Sequence, residues 1–193
     1  MVPIQLALVC HALTDAQRTG RFPSHEDGLR DPSGLARYVG EPAACLSAPE
    51  WRARQTVEGW GLTPEVDPDL RDYGLGRWAG MSLKTLQREQ PAALQAWQTD
   101  VCVAPPGGES VTEFCQRVAA WLEGFARPGH WLAVTHPMVI RAAMLHVLGA
   151  PPMAFHSIDV QPLARIQLSH YGRWRLQLTE PHPGQPPLPG LSS

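Results

Sequence analysis

The sequence predicts an α/β fold, namely a three-layer αβα sandwich with a mostly parallel central sheet and a small helical cap. Two observations carry this prediction. The apolar runs at residues 4–9 and 131–135 lack polar alternation, which is typical of strands buried on both faces of a parallel sheet. Helix-compatible segments lie between these runs, in the order expected of an α/β domain.

Three strands and four helical segments are expected in the first half of the chain: strands at 4–9, 43–46 and 65–67, and helices at 32–39, 49–60, 82–90 and 92–98. Pro49 is placed in the first turn of its helix, where proline is favoured. Pro91 separates the last two helices, which we expect to cap the open end of the sheet.

The second half begins with a helix signal at Ser110 and Glu113, whose spacing is that of a capping box. This helix should run to Phe125. Pro137 is expected to start a later helix that Gly149 ends. The remaining predicted elements are a turn at 128–129, a strand at 131–135 and a hairpin formed by 163–168 and 173–178.

The chain is predicted to form one domain over residues 1–180, with the cap at about 81–103. Residues 181–193 contain five prolines and no apolar periodicity, which predicts a disordered or surface tail.

Composition narrows the class of protein. The 193 residues are 44% hydrophobic and 18% charged, values typical of soluble globular proteins. No window offers the roughly 20 apolar residues of a membrane span, and the first apolar run lacks the basic residues of a signal peptide. A net charge of −2 argues against nucleic-acid binding. We therefore expect a cytoplasmic enzyme without a nucleic-acid or membrane partner.

Two histidines follow predicted strands, His11 after the first and His136 after residues 131–135. Because the carboxyl ends of parallel strands meet at one edge of a sheet, these imidazoles can face each other. A lone histidine beside a strand is more often structural. Arg52, near the start of the helix at 49–60, adds a guanidinium at a ready anion site, so the three residues together favour a functional site.

Cysteine chemistry is disfavoured by spacing. A cysteine phosphatase loop needs arginine six residues after the cysteine, whereas the first arginine after Cys10 is Arg18. Cys45 and Cys115 are interpreted as small core residues, and no pairing of the four cysteines is expected. The histidines lack the short spacing of zinc ligands. No metal or organic cofactor is implied.

Five segments, in order, resemble the motifs of the histidine phosphatase superfamily, also called the phosphoglycerate-mutase-like family. They are Val-Cys-His-Ala-Leu-Thr at 9–14, Ser-x-x-x-x-Arg-Ala-x-x-Thr at 47–56, Leu-x-Asp-x-x-x-Gly-x-Trp-x-Gly at 70–80, Pro-Gly-Gly-Glu-Ser at 106–110 and Val-Thr-His at 134–136. The resemblance implies phosphoryl transfer in two steps through phosphohistidine.

The resemblance also implies catalytic roles. His11 would be the nucleophile, Arg52 and His136 would stabilise the phosphoryl oxygens, and Asp72 would protonate the leaving alcohol and later accept a proton from water. Asp72 occupies the position of the family's glutamate, and bound phosphate is expected to raise its pKa. The alternative is that Asp72 is a loop acid paired with Arg71 or Arg77.

The motifs also predict substrate-binding residues. Thr14 and Gln17 fall where the family has hydroxyl and amide side chains near phosphate, and Arg21 matches an Arg-Phe pair. The remaining candidates are Cys10, Arg18 and Met138. For Glu109 and Ser110 we prefer a structural interpretation: Ser110 caps the following helix, and Glu109 complements the helix dipole.

Two departures from the motifs weaken the predicted phosphate site. Cys10 replaces the family's arginine before the nucleophile, which removes a bidentate phosphate donor, and Arg18 or Arg21 would have to swing in to replace it. Pro137 replaces a glycine and has no N–H, so the Met138 N–H would have to serve.

Three hypotheses follow from these observations. The first is a phosphomonoesterase whose ligands are a small phosphorylated metabolite and inorganic phosphate. The second is a weakened or inactive pseudoenzyme that binds a phosphorylated ligand, and the third is a purely structural or interaction domain. A phosphoglycerate mutase or an enzyme like α-ribazole phosphatase is less favoured than the first. The sequence leaves a homodimer open.

Overall fold

A computed structural model describes residues 3–35 and 44–178 of the chain. Its strands are β1 (Ile4–Cys10), β2 (Ala44–Ser47), β3 (Glu65–Val66), β4 (Gly129–Thr135), β5 (Arg165–His170) and β6 (Trp174–Gln177). Its α-helices are α1 (Asp15–Thr19), α2 (Trp51–Gly59), α3 (Leu83–Glu89), α4 (Pro91–Thr99), α5 (Val111–Gly124) and α6 (Pro137–Leu148). Short 3₁₀ turns lie at Pro32–Gly34, Pro68–Leu70, Gly76–Trp78 and Pro152–Ser157.

The strands form one six-stranded sheet in the order β3-β2-β4-β1-β5-β6. The pairs β3-β2, β2-β4 and β4-β1 are parallel, while β5 is antiparallel to both of its neighbours. Helices flank the sheet, with α2 against β2 and β4, and α6 against β1 and β6. The predicted α/β fold with a mostly parallel sheet is confirmed.

The centre of the sheet is buried because β1 and β4 carry apolar residues on both faces. Leu6 and Leu8 of β1, and Ala133 and Val134 of β4, are fully buried. The register pairs Cys10 with Thr135, so the two strands end at the same level. The residues that follow, His11 and His136, therefore emerge side by side at the carboxyl edge of the sheet.

The capping signals explain where two helices begin. Ser110 accepts a hydrogen bond from the Glu113 N–H, and the Glu113 carboxylate accepts one from the Ser110 N–H. Gly149 has a φ of 64°, in the left-handed region that ends α6. Both predictions are confirmed.

Some predicted boundaries were wrong by a few residues. Helix α2 begins at Trp51 and not at Pro49, because Glu50 is still extended and acts as the N-cap residue. Pro91 is the first residue of α4 and does not merely separate the helices, since the first turn tolerates a missing N–H. Strand β5 begins only at Arg165, after a left-handed φ of 63° at Leu163.

Other predictions concern segments only partly described. Of the helical stretch predicted at 32–39, the structure describes a single 3₁₀ turn at Pro32–Gly34. Part of that stretch and the tail at 181–193 lie outside the described residues. Within residues 3–35 and 44–178, no helix is long and apolar enough to cross a membrane.

The predicted cap contains the helices α3 and α4, which pack on each other. Trp97 of α4 contacts Phe22 and Trp78 edge-on, and its indole N–H donates to the Tyr73 hydroxyl at 3.0 Å. Phe22 and Tyr73 line the cleft that contains His11. Helix α4 therefore packs, through Trp97, against aromatic residues that line this cleft.

Candidate active site

His11 follows the end of β1, and its hydrogen bonding leaves one ring nitrogen free to act as a nucleophile. Its Nδ1 lies 2.7 Å from the Ala12 carbonyl oxygen, which can only accept, so Nδ1 carries the proton and Nε2 keeps its lone pair. Burial, with the nearby His136 and Arg52, lowers the pKa of His11 to about 3. The imidazole is therefore neutral and nucleophilic at ordinary pH.

Arg52 and Asp72 form a buried ion pair next to this imidazole. The Arg52 Nη2 donates to Asp72 Oδ2 at 2.6 Å, and Nη1 donates to the Ser24 carbonyl at 2.8 Å. The Arg52 Nε is buried without a hydrogen-bond partner among the described residues. Asp72 thus pairs with Arg52, the arginine at the start of α2, and the guanidinium retains donor capacity for an anion.

The expected rise in the pKa of Asp72 is not found in the unliganded site. Burial raises this pKa. Electrostatic interactions with His136 and Arg52 and the hydrogen bond from the Tyr73 N–H lower it by more, so the pKa of Asp72 falls to about 2. The expectation assumed the field of a bound phosphate, whereas Arg52, His136 and the Tyr73 N–H dominate here. Asp72 is a carboxylate at neutral pH.

His136 follows β4 and is fully buried. Its ring centroid lies 5.3 Å from that of His11. Its Nε2 lies 2.7 Å from Glu50 Oε2, and its Nδ1 lies 3.5 Å from Asp72 Oδ2. The structure therefore brings the four predicted catalytic residues together at one sheet edge, and it adds Glu50.

Glu50 was not predicted as a site residue from the sequence. In the segment at 47–56, only Arg52 was identified as a candidate. One signal was available, because a charged residue directly before a helix that follows a buried strand must lie at the same sheet edge as Arg52.

Two clefts open on this cluster. The smaller, of about 140 Å³, is lined by His11, Thr14, Gln17, Phe22, Pro23, Arg52, Asp72, Tyr73, Leu75, Pro137 and Met138. The larger, of about 320 Å³, shares Arg52, Asp72 and Tyr73 with it and extends past Ser24, His25, Arg71 and Glu109. Asp72 thus stands at the junction between the nucleophile and the larger space.

The family assignment follows from a sequence comparison in addition to this geometry. The model of the histidine phosphatase superfamily (branch 1) matches residues 6–180. The chain belongs to this superfamily. The predicted family is confirmed, and the match spans every described strand but the first residues of β1.

Named relatives of this chain include two from Mycobacterium tuberculosis. A bifunctional protein is 30% identical over 129 residues, which are 60% of this chain and 35% of that protein. Glucosyl-3-phosphoglycerate phosphatase is 30% identical over 125 residues, 58% of this chain and 56% of that one. The chain thus spans between a third and three fifths of the length of these relatives.

Two solved structures share the fold. The mycobacterial glucosyl-3-phosphoglycerate phosphatase in complex with VO₃ superposes with a TM-score of 0.77 at 25% identity, covering 90% of this chain and 97% of that one. A putative α-ribazole-5′-phosphate phosphatase from Escherichia coli gives 0.79 at 21% identity, covering 91% and 95%. The latter likeness shows the fold alone.

The residues predicted to bind substrate divide into two groups. Thr14, Gln17 and Met138 line the smaller cleft with His11. Thr14 and Gln17 also bind each other in a capping box that starts α1, so their side chains are partly committed to that helix. Met138 is the second residue of α6, where a helix leaves its N–H groups without intrahelical partners.

Cys10, Arg18 and Arg21 do not line either cleft. Cys10 is fully buried, and burial raises the pKa of its thiol to about 12. Arg18 lies 4.0 Å from Asp15, and Arg21 lies 3.5 Å from Asp27, both at the surface. The expected replacement of the missing guanidinium by either arginine is therefore not found, because each faces an acid away from the clefts.

Glu109 and Ser110 have structural contacts. The Glu109 carboxylate accepts from the Gly74 N–H at 2.7 Å and from Arg117 at 3.0 Å, so it fastens the 74–76 loop to α5. Ser110 caps α5 as predicted. Within the described part of the chain, no cluster of His, Cys, Asp and Glu could hold a metal ion.

Two glycines allow the loops that wall the larger cleft to cross. A Cβ on Gly108 would lie 2.1 Å from the Gly74 carbonyl oxygen, and one on Gly76 would lie 2.4 Å from the Pro106 carbonyl oxygen. Both obstacles are backbone atoms that cannot rotate away. The cleft therefore depends on backbone contact between residues 74–76 and 106–108.

Gly108→Ala is expected to lower the free energy of unfolding by about 1–3 kcal/mol, because the added methyl group overpacks this crossing. Thermal or urea unfolding measures the loss. Gly124→Ala is the matched control, since no atom lies within 4 Å of its Cβ position. Equal stability of the two variants would contradict the crossing.

Proposed function

We propose that this member of the histidine phosphatase superfamily is a phosphomonoesterase that hydrolyses a small phosphorylated metabolite through a phosphohistidine on His11. The observation that carries the proposal is the His11 tautomer: Nδ1 is bound to the Ala12 carbonyl, so Nε2 is left as a nucleophile beside the buried Arg52–Asp72 pair. Phosphoryl transfer depends mainly on such positioning and on charge stabilisation.

In the first step, Nε2 of His11 attacks phosphorus and the bond from phosphorus to the leaving oxygen breaks. Arg52, whose Nε has no partner among the described residues, and His136 would stabilise the equatorial oxygens. Asp72 would pass a proton to the leaving oxygen. Since Asp72 is a carboxylate in the unliganded site, that proton would come from the monoanionic phosphate ester itself.

In the second step, water attacks the phosphohistidine and the bond from phosphorus to Nε2 breaks. Asp72 would accept the proton of water, and inorganic phosphate would leave with His11 restored to its neutral form. No group is oxidised or reduced, and Asp72 passes the proton taken from water to the departing phosphate, so it returns to the carboxylate form in which it began.

The clefts support a substrate of metabolite size. The smaller cleft contains the nucleophile, and the larger one begins at Asp72, where the leaving alcohol would lie. Its volume of about 320 Å³ is at the lower end for small-molecule sites. The relative named as glucosyl-3-phosphoglycerate phosphatase also supports a phosphomonoester. A cytoplasmic location is part of this proposal.

The test is phosphate release from a panel of small phosphomonoesters at pH 5 to 8, with vanadate as inhibitor. Turnover that vanadate suppresses is expected. Vanadate should also raise the melting temperature by mass action. If no ester is hydrolysed and no anion shifts the melting temperature, the proposal is wrong.

The second candidate function is that of a pseudoenzyme which binds a phosphorylated ligand without turnover. One observation favours it: Cys10 replaces the family's arginine, and neither Arg18 nor Arg21 reaches the clefts. Vanadate binding without hydrolysis of any ester would select this candidate over the enzyme.

Cys10→Ala is expected to leave turnover within about threefold of the native value. The thiol is fully buried and its pKa is raised to about 12, so it cannot be the thiolate that covalent catalysis would need. Steady-state phosphate release checks this. A loss of turnover in the folded variant would show that a cysteine takes part in the reaction.

A further inference from the structure

His136 lies between two carboxylates, but only one of them binds it. Its Nε2 is 2.7 Å from Glu50 Oε2, within hydrogen-bond distance. Its Nδ1 is 3.5 Å from Asp72 Oδ2 and is buried without a hydrogen-bond partner among the described residues. The Glu50 contact therefore determines how the ring is turned.

The second oxygen of Glu50 is also engaged. Glu50 Oε1 accepts the backbone N–H of Asp72 at 3.0 Å. A single carboxylate thus ties His136, at the end of β4, to the loop that presents Asp72. Glu50 itself is only 4% exposed. Both contacts are long-range, so they fix tertiary positions rather than local backbone.

A purely helix-capping role does not account for Glu50. It is the N-cap residue of α2, but its side chain makes no capping hydrogen bond. The carboxylate does not cap α2, because one of its oxygens contacts His136 and the other accepts from the Asp72 N–H. An isolated buried carboxylate would be costly, and such groups are retained where they have partners.

The proton positions follow from the acceptor chemistry. Burial raises the pKa of Glu50, but the hydrogen bond and charge of His136 and the Asp72 N–H outweigh it, so the pKa is lowered. An ionised carboxylate only accepts. The proton in the contact between Glu50 and His136 therefore lies on Nε2, and Nδ1 is left facing Asp72, which lines both clefts.

We propose that Glu50 is a positioning residue for phosphoryl transfer: it holds His136 with Nε2 protonated and with Nδ1 on the side of Asp72, where the phosphoryl group would bind. It also balances the charge of the imidazolium that forms when Nδ1 takes up a proton from solvent as the phosphoryl anion binds and donates that proton in a hydrogen bond to a phosphoryl oxygen. This inference rests on the proposed function. Its consequence is that His136 becomes a second cation beside Arg52, in a site where Cys10 replaces the family's arginine. The other groups facing His136 are Asp72 and the neutral His11.

Glu50→Gln isolates this role, because it preserves the shape of the side chain and an oxygen for the Asp72 N–H. The amide NH₂ would then face His136 and donate to Nε2, which must give up its proton. We expect kcat/KM to fall roughly 10- to 100-fold, as for the loss of one charge-assisted hydrogen bond. Vanadate affinity should fall with it, while the melting temperature changes little.

Nitrogen-15 NMR of the histidines supplies a readout that a merely structural role would not move. In the native protein Nε2 of His136 should carry a proton, and vanadate should add a proton on Nδ1. In Glu50→Gln the Nε2 proton should be lost.

The matched control is Glu123→Gln. Glu123 makes a contact of 2.6 Å with His146 Nε2, but this pair is exposed on the surface. Kinetics, vanadate affinity and the His136 signals should stay unchanged in this variant.

The inference is overturned if Glu50→Gln matches Glu123→Gln in kcat/KM and vanadate affinity, or if Nε2 of His136 is unprotonated in the native protein. If the native protein hydrolyses no ester, the proposed function fails, whereas vanadate binding and the NMR signals still decide the role of Glu50. If Glu50→Gln does not fold, the NMR experiment on the native protein with and without vanadate decides it.

Discussion

Replacing His11 with alanine is expected to lower kcat for phosphate release by about 10⁴-fold or more, the scale seen when a covalent nucleophile is removed. No other histidine of the described residues is placed as His11 is: His136 is bound to Glu50 and lines neither cleft, and His25 lines only the larger cleft. Steady-state phosphate release with the best ester of the panel measures the loss. His146→Ala, on the surface of α6, is the control. Comparable turnover in His11→Ala and His146→Ala would remove His11 from the mechanism.

The same variant has a stability signature that depends on pH. The folded protein keeps His11 neutral down to a pKa of about 3, whereas the unfolded chain protonates it near 6.5. Because the unfolded state then binds more protons, the native protein should lose stability as pH falls from about 6.5 to 3. His11→Ala should lose less stability over that range, which urea unfolding at a series of pH values measures.

Asp72→Asn is expected to show a loss that depends on the leaving group. An amide can neither give a proton to the alcohol nor take one from water, and proton transfer of this kind contributes about 10²- to 10⁴-fold. Alkyl phosphates, whose leaving oxygen needs the proton, should lose the most. An aryl ester such as p-nitrophenyl phosphate should lose less in the first step, because its leaving group is stable as an anion.

The neighbouring acid Asp69 provides the control for this experiment. Asp69 lies on the surface, 3.6 Å from Arg71, and Asp69→Asn should leave both esters within twofold of native turnover. Measuring kcat/KM for an alkyl and an aryl ester in each variant gives the comparison. An equal loss for both esters in Asp72→Asn would mean that Asp72 acts only as the partner of Arg52.

The position of the site could be predicted because it depends on strand ends. Residues 4–9 and 131–135 are apolar enough to be central strands, and parallel neighbours end at one edge. The register between Cys10 and Thr135 then places His11 beside His136. The capping box at Ser110 and the stop at Gly149 were predictable for a similar reason, since each depends on local backbone chemistry.

The remaining features depend on tertiary contacts that local sequence does not encode. Glu50 and His136 are 86 residues apart, and their contact exists only once β2 and β4 are neighbours in the sheet. The lowered pKa of Asp72 reflects Arg52 and His136, whose distances the motif does not specify. Arg18 and Arg21 have the right residue type, but the fold places each beside an acid and outside the lining of both clefts.

The central claim is that His11 becomes phosphorylated during turnover. Rapid quenching of the native protein with a ³²P-labelled ester tests it most directly, followed by peptide mapping of the label. We expect a protein phosphate that is stable to base and labile to acid, mapped to His11 and absent from His11→Ala. Turnover without any labelled intermediate, or a label that persists in His11→Ala, would contradict the account.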